Sequence, residues 1–285
     1  KVSGKRVVVA GTGPLLVAVA AFLAKRGANV VLVAEQSRLR SLAGFAFRLA
    51  LYPAKLREAI SISIITGLLN FRSNCYVEKA EGANKLEAVY VNRGAKVRRI
   101  ECDLLACGFH LVPNLEVPLL LGCEQRECGI EVDEFQRTSV PGIYAAGETT
   151  GIGGIELSAV EGEIAGHAAS ENEPAARQLF RRRRRFLQFA NHLNASFCLR
   201  PELESLPKDE TFVCRCEDVP FKRLKTFKNW RDAKLQTRCG MGPCQGRVCG
   251  PAAEFLFGWT AGGPRPPLLP VRLDRIALEE KENEF

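Results

Sequence analysis

Val7-Val8-Val9-Ala10-Gly11-Thr12-Gly13-Pro14 is the stretch that decides the fold. Its short apolar run, rich in β-branched side chains and closed by a glycine turn, predicts a strand buried on both faces of a parallel sheet. Leu15 to Lys25 then predicts an apolar helix, and Asn29 to Ala34, closed by Glu35, a second strand. Together they form the first half of a dinucleotide-binding unit. In such a unit glycines let the backbone approach a pyrophosphate at the helix N-terminus, while an acid closing the second strand accepts from ribose hydroxyls. Gly11, Gly13, Pro14, Leu15 and Glu35 are therefore candidate contacts for a nicotinamide nucleotide. Glu35 favours NAD, because a 2′-phosphate would meet a carboxylate; Arg38 and Arg40 pull the other way. Leu16 stands where the GxGxxG pattern has its third glycine, so a bulky side chain pushes helix and strand apart or alters their packing, which weakens the site. A unit kept as scaffold without nucleotide stays open.

Downstream, Tyr52 to Leu69 predicts a helix, Asn74 to Arg99 an antiparallel meander, and Ile100 to Ala106 a returning apolar strand. Cys75, Cys102, Cys107, Cys123, Cys128 and Cys198 show no CxxC pairing and are expected as small buried residues.

The last third carries different chemistry. Cys214 and Cys216 form a CxC pair and Cys239 and Cys244 a CxxxxC pair, with 22 residues between the two. Four thiolates in two local pairs suit a [2Fe-2S] cluster, which takes two per iron. Structural zinc also takes four thiolates, though its local pairs usually leave two to four residues between ligands. Disulfides are disfavoured by the odd count of 11 cysteines and by the lack of a secretory signal at the start. Around the second pair, Gly240, Gly242 and Gly246 let backbone amides approach the sulfurs. Cys249, a fifth thiol, is expected to pack rather than to ligate.

The chain has 285 residues, room for about two domains. Its net charge of +8 is concentrated in Arg181 to Arg185, not spread over an aromatic-studded surface, which argues against nucleic acid. An exposed helix face, or a patch for an acidic protein partner, suits it better. The apolar run Val7 to Ala24 is interrupted by its glycine turn, so no transmembrane segment is expected and a cytoplasmic protein is the default, membrane-associated only through partners. Three histidines, at 110, 167 and 192, form no hydrolytic constellation. Pro174 to Cys198 predicts a helix carrying the arginine run, and the Pro-rich Gly262 to Pro270 an extended arm.

Val132 to Ser139, followed by Pro141-Gly142-Ile143-Tyr144-Ala145-Ala146-Gly147-Glu148, resembles the second FAD-contacting motif of the two-dinucleotide-domain flavoproteins. With Val9 to Leu16, Val132 to Gly154, Cys214 to Val219 and Thr237 to Gly250, most of the chain resembles the FAD-dependent, iron–sulfur subunits of opine oxidases and hydrogen cyanide synthase. More distantly it is similar to the alpha subunits of dye-linked proline dehydrogenase and heterotetrameric sarcosine oxidase. The cluster module is similar to the bacterioferritin-associated ferredoxin domain, whose four ligand positions match Cys214, Cys216, Cys239 and Cys244.

The resemblance implies an α/β, two-dinucleotide-binding-domain flavoprotein fold, Rossmann-like and partial, followed by a small α-rich [2Fe-2S] domain. It implies an NAD(P)-binding-like domain over 1–108, the closing part of an FAD domain over 109–175, a helical linker over 176–209, the cluster domain over 210–262 and a tail over 263–285. FAD would be met by Gly147, Glu148, Thr149, Gly153 and Gly154, with Glu148 one methylene longer than the usual Asp. The family's N-terminal FAD strand, turn and helix are missing, so the chain is expected to be a truncated sequence and FAD to belong to the intact protein. The implied function is an electron-transfer flavoprotein subunit of an amine, opine or amino-acid dehydrogenase or oxidase. Its partners would be a small ferredoxin-like subunit together with a substrate-oxidising flavoprotein subunit, in a hetero-oligomer. An NAD(P)H-dependent reductase feeding the cluster and a non-catalytic cluster-binding scaffold are the alternatives.

Overall fold

The computed structural model describes residues 1–66, 70–94, 96–126, 129–260, 262–266, 268, 271–272 and 274. They fall into two compact units: Lys1–Leu111 with Leu187–Trp259, and Val112–Phe186 with the described part of the chain after Trp259.

The first unit is built on the strand named at the outset. β1 (Arg6–Thr12) leads through the glycine turn into α1 (Pro14–Lys25) and β2 (Asn29–Glu35). Two helices follow, α2 (Leu39–Leu49) and α3 (Pro53–Thr66), and then the short β3 (Phe71–Arg72). An antiparallel sheet of β4 (Tyr76–Glu81), β5 (Ala88–Arg93) and β6 (Lys96–Glu101) precedes β7 (Leu104–Phe109). The parallel sheet has the order β3-β2-β1-β7. β1 is central and paired on both sides, which is why its run is continuously apolar. Val8 and Ala10 pack on one face with Leu32, Cys75, Val89 and Cys102; Val7 and Val9 pack on the other with Leu16, Ala20 and Val33. Fully burying each such valine contributes about 1.5–3 kcal/mol.

Two boundaries differ from the sequence reading. Ile100 belongs to β6, opposite Val89, and the returning parallel strand starts later, at Leu104. Asp103 marks the break: its carboxylate accepts the Arg6 amide at 2.8 Å and its own amide donates to the Arg6 carbonyl at 2.8 Å, locking the chain into register with β1. The helix α2 was not anticipated, although Leu39, Leu42, Phe45, Ala46 and Leu49 recur at helical spacing and Phe45 packs against Phe189 and Phe197. The expected helix over 52–69 is α3 as far as Thr66; positions 67–69, like Cys128, lie outside the described residues.

The second unit holds α4 (Glu116–Leu120), the two-stranded β8 (Gln125–Arg126) and β9 (Gly129–Ile130), a 3-10 turn over Gly147–Thr150, and α5 (Ile155–Ala169). The apolar segment before Gly147 makes only an isolated bridge, Arg137 to Tyr144. Phe135, Val160, Ile164, Ala168 and Ala176 form its core. The long helix α6 (Glu173–Ser196) carries the arginine run and ends in the first unit.

The cysteine module completes the first unit. β10 (Phe212–Cys214) and β11 (Val219–Pro220) make a hairpin, followed by α7 (Phe221–Leu224), α8 (Trp230–Thr237) and α9 (Cys249–Phe257). Val213, Val219, Leu224, Trp230, Ala233, Ala253 and Trp259 surround the thiols. Small, α-rich and centred on cysteine, it agrees with the expected module. Among the described residues no helix is long and apolar enough to cross a membrane.

Candidate metal centre and nucleotide cleft

Three elements bring the thiols together. The β10–β11 hairpin presents Cys214 at the end of a strand and Cys216 in the turn; the loop after α8 carries Cys239 and Cys244; α9 begins at Cys249. The loop winds tightly because Arg238, Gly240, Gln245 and Gly246 all adopt positive φ. Gly242 has to be glycine, since a Cβ there would lie 2.3 Å from Cys216 Cβ.

Cys249, expected to pack, is buried in the module's core and also stands beside the candidate ligands. Its Sγ lies with those of Cys214 and Cys239 in a buried trio whose sulfurs are all within 4.8 Å of one another. It does not pack apart from the candidate ligands. The hydrogen bond to Cys239 and burial push its thiol strongly upward. A sequence signal was present: Cys244 to Cys249 repeats the CxxxxC spacing of Cys239 to Cys244.

Cys216 and Cys244 form a second, more open group, joined by a thiol–thiol hydrogen bond. Burial pushes the Cys244 thiol up, but hydrogen bonds from the backbone of Val248, Gly246 and Arg247, with the Cys216 thiol, bring it net below its ordinary value. Backbone donors aimed at sulfur are what an anionic thiolate ligand needs. A backbone hydrogen bond from Cys244 lowers Cys216, yet the thiol contact with Cys244 and burial leave it net raised. Five thiols lining one nest, with amides on the outer one, fit the donor set of a thiolate-bound cluster or metal ion.

The nucleotide candidates tell another story. Glu35 is fully buried, and its carboxylate accepts from Thr12 Oγ1 at 2.9 Å, from the Gly13 amide at 2.8 Å and from the Ser37 amide at 2.8 Å. The acid expected to meet a ribose, and the turn amide expected to meet a phosphate, bond to each other instead. Gly11 serves the sheet: a Cβ there would lie 1.8 Å from the Gly108 carbonyl oxygen on β7. Leu16 does not force helix and strand apart. It is buried beside Gly108, which supplies on β7 the small residue that the turn lacks. Pro14 is the first residue of α1 and Leu15 is exposed.

Ligands of open α/β sheets bind outside the carboxyl ends of the strands. Here residues 197–200 lie across three of those ends. The Phe197 carbonyl is 3.3 Å from Thr12 Oγ1 at the end of β1 and 2.7 Å from His110 Nε2 just after β7. Beyond β2, Gln36 Nε2 donates to the Cys198 carbonyl at 2.9 Å and Gln36 Oε1 accepts the Arg200 amide at 3.0 Å. Arg200 also donates to Asn74 Oδ1 at 2.7 Å and pairs with Glu202 at 2.6 Å. Phe197 meets Phe45 edge-on at 5.3 Å, and Phe189 meets Tyr52 at 5.0 Å. Neither Gln36 nor Arg200 carried a motif in the sequence.

In the second unit, Gly147, Glu148 and Thr149 occupy the 3-10 turn, and Gly153 and Gly154 lead into α5. Glu148 Oε1 accepts the Gly154 amide at 3.3 Å. The turn is held from behind by buried Glu161, which accepts from the Gly147 amide at 3.0 Å, from Thr150 Oγ1 at 3.0 Å and from Arg183 Nε at 2.9 Å. Gly153 is needed for packing, as a Cβ there would lie 2.3 Å from the Leu157 side chain. The first residue of α5, Ile155, is exposed, so the helix presents its positive end outward, as a pyrophosphate or flavin group requires. Gly147, Glu148, Thr149, Gly153 and Gly154 thus lie together at the start of α5, a donor set that would suit such a group.

The lone cysteines divide. Cys75, Cys102 and Cys123 are buried as expected; Cys107 and Cys198 are exposed, against that expectation.

Known proteins bear on both sites. Hydrogen cyanide synthase subunit HcnB of Pseudomonas protegens is 27% identical over 97% of this chain and 66% of its own length. An opine oxidase subunit from Rhizobium meliloti strain 1021 is 34% identical over 64% of this chain and 46% of its own length. The chain thus spans roughly half to two thirds of these homologues. L-proline dehydrogenase from P. horikoshii shares the fold, with a TM-score of 0.53 at 17% identity over 96% of this chain and 50% of that one. Residues 1–171 match the family described as pyridine nucleotide-disulphide oxidoreductase, more than half of the chain. With that match resting on the Rossmann-like sheet and continuing through the Gly147–Thr150 turn into α5, the chain is a member of the pyridine nucleotide-disulphide oxidoreductase family.

Proposed function

We propose that this chain is an electron-transfer flavoprotein subunit of an amine, opine or amino-acid dehydrogenase or oxidase complex. In this reading it connects FAD with a [2Fe-2S] cluster. The observation that carries it is the convergence of Cys214, Cys216, Cys239, Cys244 and Cys249 in one nest with backbone donors on Cys244. The names of the homologues support the donor class: each is a subunit of an enzyme described as an opine oxidase or a hydrogen cyanide synthase. A thiolate-bound [2Fe-2S] cluster supplies single-electron transfer, and FAD supplies the step between two-electron and one-electron chemistry. The protein's role is positioning. Cys214, Cys216 and Cys244, with either Cys239 or Cys249, would hold the cluster, while the Gly147–Thr150 turn and the open start of α5 would hold the flavin.

The alternative reductase reading needs NAD(P)H at the carboxyl edge of the first sheet. Residues 197–200 across that edge, and the Glu35 contact with the Gly13 amide, favour the dehydrogenase-subunit reading over it. Partners would be a small ferredoxin-like subunit together with a substrate-oxidising flavoprotein subunit, in the cytoplasm. Metal and labile-sulfide analysis of anaerobically prepared protein tests the centre. Two iron and two sulfide per chain, with a paramagnetic signal on reduction, are expected; zinc without iron would refute the assignment.

A further inference from the structure

A [2Fe-2S] cluster takes four thiolates, and this nest offers five. The surplus is located: Cys216 and Cys244 are joined outside, while Cys214, Cys239 and Cys249 crowd within 4.8 Å inside, one thiol more than that side of a cluster uses. Cys214 shares its local pair with Cys216. Cys239 and Cys249 each stand five residues from Cys244, one before it and one after, and their thiols are hydrogen-bonded to each other. Both are buried to the same degree. Neither is nearer to Cys244 along the chain, and the same inner corner faces both.

We propose that Cys239 and Cys249 are interchangeable ligands for one iron of the cluster, so that the centre survives loss of either. This rests on the cluster reading above. Exchange breaks one Fe–S(Cys) bond and forms another. The entering thiol releases its proton and the leaving thiolate takes one up, a transfer for which their mutual hydrogen bond is already in place. No electrons change hands and iron and sulfide stay bound. The consequence is a centre that tolerates oxidation or alkylation of one inner cysteine.

The test uses the full chain, reconstituted anaerobically with iron and sulfide, as wild type, Cys239→Ala, Cys249→Ala and the double variant. The readouts are iron and sulfide content, visible circular dichroism and the reduced-state paramagnetic spectrum. Alanine is chosen because it offers no replacement donor. Both single variants are expected to keep two iron and two sulfide, with a changed dichroism in the one that loses the resident ligand, and the double variant to keep none. If one single variant loses the cluster while the other matches wild type, the ligand is fixed and the proposal falls; it falls too if both lose it. A wild type that takes up no iron refutes the cluster reading itself, a different result. Should a variant misfold, alkylation of the intact wild-type holoprotein with iodoacetamide, read by peptide mass spectrometry, decides the matter. Apart from the labels taken by exposed Cys107 and Cys198, interchange puts one label per chain on the nest, divided between positions 239 and 249, whereas a fixed ligand leaves all of the nest's label on one of them.

Discussion

The Gly13 amide donates to Glu35 Oε2 at 2.8 Å, joining the glycine turn after β1 to the acid that closes β2. The two groups that a dinucleotide would bridge are bridged already, and Thr12 and Ser37 complete the carboxylate's shell. Replacing Glu35 with alanine strands these buried donors. Hydrogen bonds to a charged group contribute about 1.5–3 kcal/mol each and are not additive, so a loss of about 3 kcal/mol or more in urea unfolding is expected. A loss below about 0.5 kcal/mol would mean that the carboxylate is not a structural member of the turn.

Residues 197–200 covering three strand ends lead to a second expectation. NADH and NADPH should show no saturable binding in a fluorescence titration up to about 1 mM, the concentration matching only about 4 kcal/mol of binding free energy. Anaerobic NADH should likewise leave the flavin of the intact protein oxidised. Micromolar saturation would return the edge to a nucleotide.

Gly242 faces Cys216 with no room for a methyl group. Gly242→Ala should push the CxC turn away from Cys244 and lower stability by about 1–3 kcal/mol, the usual cost of overpacking. Iron incorporation should fall in the same variant. Gly250→Ala, where a Cβ meets nothing within 4 Å, is the control and should leave iron content unchanged.

Acid should loosen the linker through Glu202. The hydrogen bond from Arg200 holds this carboxyl at about 2, below its ordinary 4.5. Because the folded value is depressed, the stabilisation is complete above 4.5 and fades as pH falls toward 2. Glu202→Gln should therefore lower the melting temperature at about pH 6 and lower it less at about pH 3. A difference that is constant between those pH values would assign the effect to packing. The pair is partly exposed, so the shift should also shrink in high salt.

Buried Glu161 pairs with the partly exposed Arg183 behind the Gly147–Thr150 turn. Arg183→Leu leaves a buried carboxylate without its cation, a change that typically costs about 3–5 kcal/mol. Thermal unfolding should register it, and FAD retention in the intact protein should drop with it, because Gly147 and Thr150 hang on the same carboxylate.

The first sheet was legible because β1 is buried on both faces, and a doubly buried strand writes its position as an uninterrupted apolar run. The same holds for the cysteine module, where ligand chemistry restricts residue type more than packing does. The use of Glu35 was not legible. An acid after β2 has one spelling whether it faces outward to a sugar or inward to Gly13, and the difference lies in a distant segment, more than 160 residues on, whose Phe197 and Arg200 carry no motif. The place of Cys249 beside Cys214 and Cys239 was not legible for another reason: two equal spacings share Cys244, and spacing alone does not rank them.

Gly11 shows how such turns mislead. With the Gly108 carbonyl standing 1.8 Å from the place of a side chain, any larger residue would wedge β1 and β7 apart. A lineage could abandon its coenzyme altogether and still be held to glycine here by the crowding of its own backbone. Glycine at this position is thus accounted for by the fit of two strands, and is no measure of what the domain carries.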